Sequence, residues 1–163
     1  METVPTSIRR MLLVITALGV SSPLLAQQDE LAGAAQTGKY AEAFQQVEEE
    51  ARQGVPQAQY SLGRMYAFGQ GVEKNMVTAV KWYRKAADQG LAEAQYHLGE
   101  AYGAGEGVPQ DYVQAYQWMA RARQNGEEKA KAAMQSYKEL MTEDQLQQAQ
   151  QGGESSAAST SQP

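Results

Sequence analysis

Apolar side chains recur at helical spacing through the middle of the chain. Ala58, Leu62 and Tyr66 stand at i, i+4 and i+8, and Ala94, Leu98 and Tyr102 repeat that stripe. Such spacing gathers side chains on one face of a 3.6-residue helix. A second stripe follows each one: Ala79, Trp82, Tyr83, Ala86 and Ala87, then Ala115, Trp118, Met119 and Ala122. Between the stripes lie Gly69-Gln-Gly71-Val72 and Gly105-Glu-Gly107-Val108, which read as chain reversals, since glycine enters positive φ without steric cost. Each valine is expected to tuck back under its helix pair. Asn75 and Asp111 are placed to cap the second helices, and Gly90 and Gly126 to end them. Gly63 sits inside an apolar stripe although glycine costs about 1 kcal/mol there. Close approach of the companion helix, through its tryptophan, is the expected reason. The chain therefore predicts an all-α fold of helix pairs.

The two stretches align without a gap. Residues 55–90 and 91–126 share fourteen identical positions at a period of 36, among them Gln59/Gln95, Tyr60/Tyr96 and Trp82/Trp118. Periods of this length mark stacked helical repeats. The flanks, 29–54 and 127–151, are degenerate copies. Ala43, Val47, Ala51 and Gly54 keep a second-helix pattern with Gln46 in the tryptophan position, and 29–37 suit a short first helix. Ala130 and Met134 keep two first-helix positions, but Gln135 and Lys138 replace the Gly and Tyr. Thr142-Glu-Asp-Gln145 has the form of a capping box opening a last, capping helix. Atypical ends of this kind close a repeat array.

The pattern Ala-x-x-x-Leu-Gly-x-x-Tyr-x-x-Gly-x-Gly-Val, then Ala-x-x-Trp-(Tyr)-x-x-Ala and a closing Gly, resembles the Sel1-like repeat, a subclass of tetratricopeptide-like α/α repeats. Met119 after the second tryptophan and Arg123 in place of a small residue depart from it. The resemblance implies a short right-handed α/α solenoid that binds proteins or scaffolds assemblies. For exported bacterial members it implies roles in envelope assembly, host interaction or signalling.

The termini read differently. Arg9-Arg10, an apolar run over 11–20 and Leu24-Leu25-Ala26 have the layout of a secretory signal peptide over 1–26, cleaved after Ala26. The expected location is the periplasm, with secretion as the alternative, and no membrane span in the mature chain. Residues 152–163 hold no large apolar side chain and are expected to form a disordered tail.

Composition narrows the chemistry. The chain has 163 residues, net charge −5 and a pI near 4.9, which disfavours nucleic acid as a partner. It has no cysteine and a single histidine, His97, so thiolate catalysis, Cys-ligated zinc and paired-His metal sites are excluded. The Gly-x-Gly turns lack the further residues of a phosphate loop. No cofactor, metal or catalytic residue is expected. Recurring aromatics are assigned to unit-to-unit packing. Positions that differ between units, Ser61/His97, Arg64/Glu100 and Phe68/Ala104, are free to serve a partner. Ser61, Arg64, Phe68, His97 and Glu100 are accordingly the candidate partner-binding residues, forming a mixed-sign groove. Glu48–Glu50 and Glu127–Glu128 read as solvated faces that could also meet basic segments. The function expected is a non-enzymatic protein-interaction module, with an exposed array end that could pair two copies. The alternatives are a cell-wall enzyme acting on peptidoglycan or a β-lactam, and an immunity-type neutraliser of an envelope-targeted toxin.

Overall fold

A computed structural model describes residues 38, 40 and 42–158, with side chains as far as residue 152. The expected signal peptide, the short helix over 29–37 and the last five residues of the expected tail lie outside the described residues. Among the described residues seven helices follow in order: α1 (42–52), α2 (Pro56–Phe68), α3 (Met76–Asp88), α4 (Ala92–Ala104), α5 (Tyr112–Gln124), α6 (Ala130–Leu140) and α7 (Glu143–Ala158). There is no strand among the described residues. Consecutive helices pack as α2–α3, α3–α4, α4–α5 and α5–α6, and α7 folds back onto α5. The all-α stacked-hairpin architecture is the one the two stripes predict.

Local signals do what their chemistry dictates. Asn75 and Asp111 accept from the backbone N–H of Thr78 (2.9 Å) and Gln114 (3.0 Å), so each second helix opens with a satisfied donor. Gly69 and Gly105 end the first helices at φ 70° and 72°, where a side chain would be strained. The turns then close on themselves, with Asn75 N–H donating to Tyr66 O (2.8 Å) and Asp111 N–H to Tyr102 O (2.9 Å). Val72 and Val108 are half-buried, and Val108 packs against the core as expected. The Thr142–Gln145 box forms reciprocally, at 3.0 and 3.4 Å.

The core is continuous across repeat boundaries. Ala79, Val80, Tyr83, Ala86 and Ala87 of one unit pack with Ala94, Leu98, Ala101 and Trp118 of the next. Neither unit could bury that surface alone, which is why repeats stand or fall together. Ala51, Val47 and Phe44 of the leading degenerate unit cover Ala58 and Leu62. Ala130 and Met134 of the trailing one cover Met119 and Ala122.

Two sequence expectations need correction. Gly63 makes room for Tyr83, not for Trp82, and in the second unit Gly99 makes room for Met119. The residue after each tryptophan is therefore the one that fills the glycine gap. Met119 is fully buried, so its departure from the repeat pattern leaves the packing intact. The last helix passes the boundary set at 151 and runs to Ala158. Gly152 lies against Gln117 of α5, and an anchored helix adds further residues at little cost because nucleation is already done.

Two recurring glutamines join the units. Gln95, buried, donates to Ala87 O of the preceding unit (3.0 Å) and accepts from Asn125 at the end of its own unit (2.9 Å). Gln59 does the same with Ala51 O (3.2 Å) and Gln89 (2.7 Å). Buried amides must find partners, and here the partners come from both sides of a repeat boundary. Gln95→Leu keeps the bulk and removes both bonds. It should cost about 1 kcal/mol, read as a lower urea midpoint at unchanged slope.

Candidate functional site

Four of the five residues chosen for differing between units gather around one groove. The groove, about 390 Å³, lies along α2 and α4 and is lined by Phe68, Lys74, Met76, Tyr83, His97 and Glu100 among others. Phe68, 63% exposed, forms one lip. Arg64, one turn earlier on α2, holds its guanidinium 5.9 Å from the Phe68 ring and 5.9 Å from the Tyr60 ring. Arg64 is exposed and borders the groove without lining it. Ser61 is half-buried on α2 and lies outside the lining. The structure thus joins Arg64, Phe68, His97 and Glu100, and leaves Ser61 aside.

His97 is the centre of this arrangement. Its ring stacks on Tyr60 (5.6 Å) and Tyr83 (5.7 Å) and meets Tyr96 edge-on (5.5 Å). Its Nδ1 is 2.9 Å from Glu100 Oε2, three residues on along α4. The hydrogen bond from His97 holds the Glu100 carboxyl below its ordinary range, against the opposing effect of partial burial. Desolvation, with the Glu100 charge adding to it, pushes Tyr96 up to about 12. Burial likewise raises Tyr83. These phenols stay neutral and offer hydroxyls at any physiological pH. Since the folded Glu100 titrates lower than the unfolded one, the stability its carboxylate contributes is full above the unfolded value. It is lost as pH falls through the folded value.

Chemically the groove offers aromatic faces, one exposed phenyl ring, Arg64 and Lys74 on the basic side, and Glu100 and Glu106 on the acidic side. No group of His, Asp and Glu suited to a metal ion occurs among the described residues. No described helix is long and apolar enough to cross a membrane. The cluster of aromatic rings around His97 is invisible to a reading of one repeat at a time. Its signal is that His97 replaces Ser61 at a position flanked in both units by a recurring tyrosine, Tyr60 and Tyr96.

Comparisons with known proteins agree with this architecture. The family model described as Sel1 repeat matches residues 56–91 and 92–127. A chitin synthase regulator of Saccharomyces cerevisiae is 50% identical over 46 residues, which are 28% of this chain and 7% of the regulator. Among solved structures, a protective antigen of uropathogenic Escherichia coli displaying an SLR fold superposes with a TM-score of 0.68 at 38% identity. That match covers 69% of this chain and 24% of the antigen chain. A Sel1 repeat protein from Oxalobacter formigenes superposes with a TM-score of 0.57 at 42% identity, covering 58% of this chain and 39% of the other. The chain thus spans less than half the length of each of these relatives. Residues 56–127 thus carry two tandem Sel1 repeats, joined by a shared core and by buried glutamines.

Proposed function

We propose that the protein is a non-enzymatic interaction module of the bacterial cell envelope, exported to the periplasm, that grips a peptide segment or helix of a partner protein in the α2–α4 groove. Sel1 repeats serve as protein-interaction scaffolds, and the reading here assigns that role to particular side chains. One observation carries it: Arg64, Phe68, His97 and Glu100, the positions the repeat leaves free, meet around one groove that holds both charge signs and an exposed ring. A stacked array presents such a surface preformed, so little ordering cost falls on the protein when a partner binds. Export is supported by the arginine pair and apolar run of the first 26 residues.

Crosslinking in intact periplasm, followed by identification of the captured protein, tests this reading. The expected result is a specific partner whose capture falls at least tenfold with the combined change Arg64→Glu and Glu100→Lys, and falls with rising salt. Capture indifferent to those changes, or no specific partner, would overturn it. Turnover of a muropeptide or β-lactam abolished at a single Glu would replace it with the cell-wall enzyme.

A further inference from the structure

A second surface stands on the opposite type of helix. The copies α3 and α5 lie one period apart, and the structure treats them differently. On α5, helix α7 seats its Ala149 against Val113 and Tyr116, while Gln117 donates to Gln148 O (3.4 Å) and lies against Gly152. Val113 is therefore only 8% exposed. Thirty-six residues earlier, the corresponding positions are Val77, Val80 and Lys81. Val80 is buried in the core shared with the next unit, but no described helix lies on Val77 and Lys81 in the way α7 lies on α5, and Val77 is 52% exposed. The cause is the connection. Met141 and Thr142 alone separate α6 from α7, whereas residues 105–111 separate α4 from α5. The longer turn lands on α3 itself, with Gly107 so close that a Cβ there would stand 2.5 Å from Met76 O. It leaves an open groove of about 500 Å³ alongside Val77, Val80, Lys81, Trp82, Arg84 and Lys85.

The two seats differ in charge. Lys81 replaces Gln117, Arg84 replaces Ala120 and Lys85 matches Arg121, with Asp88 as the acid that lines the groove. Arg84 is engaged with the Tyr102 hydroxyl and faces the Trp118 ring. Lys81 is exposed, and Lys85 lies 3.9 Å from the centre of the Trp82 ring. Neither lysine makes an ion pair among the described residues. The occupied seat shows the shape of what fits, a helix with small residues at the contact. The cations at the open seat add the sign of charge that such a helix would carry.

We propose that the outer face of α3 is a docking surface for an acidic amphipathic helix of a partner protein, seated as α7 is seated on α5. This surface is separate from the α2–α4 groove and does not depend on it.

The test titrates the full chain with two helical peptides and reads tryptophan emission, because Trp82 lines the groove while Trp118 is buried. One peptide copies residues 143–158, with side chains 147 and 151 joined to hold the helix. The other carries in addition the change Gln148→Glu, which sets a carboxylate next to the Ala149 contact, on the residue whose carbonyl Gln117 meets on α5. The acidic peptide should give a saturable emission change and bind at least fivefold tighter than its parent. Lys81→Glu with Lys85→Glu should weaken it at least fivefold, and Val77→Arg should block it. Trp82→Phe should remove the signal while calorimetry still records binding. Arg64→Glu with Glu100→Lys should leave this binding unchanged, which separates its failure from that of the α2–α4 groove. Melting curves establish that each variant is folded. Equal binding of the two peptides, binding unaffected by Val77→Arg or the lysine reversals, or no heat from either peptide would overturn the proposal. So would binding of phosphatidylglycerol vesicles in place of the peptides.

Discussion

Trp118→Ala should lower stability by about 3–5 kcal/mol, whereas Trp82→Ala should lower it by less than half as much. The two tryptophans occupy the same position of the repeat, yet their surroundings differ. Trp118 is 5% exposed and belongs to the core cluster that crosses from the first unit into the second. Its ring also takes the guanidinium of Arg121 at 4.5 Å and of Arg84 at 6.0 Å. Truncation there opens a cavity between units and strips a partner from two cations. Trp82 is half-buried at the boundary with the leading degenerate unit, beside a smaller cluster of Ala51, Ala58 and Leu62. Much of its surface already meets water, so less transfer energy is forfeited. Urea unfolding of both variants, followed by far-ultraviolet circular dichroism, measures the difference. Equal losses would mean that the stack does not share its core in the way described. An unchanged midpoint for Trp118→Ala would remove the basis of the fold argument.

The aligned glycines should separate in the same manner. Gly63→Ala should destabilise by about 2 kcal/mol, and Gly99→Ala should fall within about 0.5 kcal/mol of the parent protein. Both glycines sit inside helices at ordinary helical φ, so alanine by itself would gain about 1 kcal/mol of propensity at each. What decides the sign is the neighbour. A Cβ on residue 63 would stand 2.6 Å from Tyr83 Cδ1 and 2.7 Å from Cε1, and that ring is buried and stacked against His97. A rigid ring held on several sides cannot yield without moving the groove. A Cβ on residue 99 would meet Met119 Cε at 3.1 Å, the end of an unbranched chain with three rotatable bonds. Because Tyr83 also lines the α2–α4 groove, Gly63→Ala should weaken partner capture as well as stability, and Gly99→Ala should spare both. Thermal melts of the two variants, run side by side, provide the check. A Gly63→Ala protein as stable as its parent would show that Tyr83 can relocate freely.

Much of the architecture follows from residues near one another in the chain. The caps at Asn75 and Asp111, the reversals at Gly69 and Gly105 and the box at Thr142–Gln145 each act over three or four residues, so their chemistry is complete within a short stretch. The helix pairs and their period are legible for the same reason. The choice of Arg64, Phe68, His97 and Glu100 is also legible, because residues that do not recur cannot be holding the recurring contacts. Other features depend on which surfaces meet across the stack. That Tyr83 and Met119 fill the glycine gaps, rather than the tryptophans beside them, turns on helix rotation about its axis. That rotation is set by packing against a neighbour distant in sequence. The bridging role of Gln59 and Gln95 was hidden for the same reason, since their partners lie at unit boundaries and not within one helix. The open face of α3 beside the covered face of α5 is decided by tertiary structure too. Two helices at the same place in the repeat acquire different neighbours because a connection of two residues folds α7 back onto α5, whereas one of seven lands on α3 before α5 begins. Periodicity, caps and turns are local free energies that the chain carries wherever it goes. Which buried face meets which is a property of the whole assembled stack.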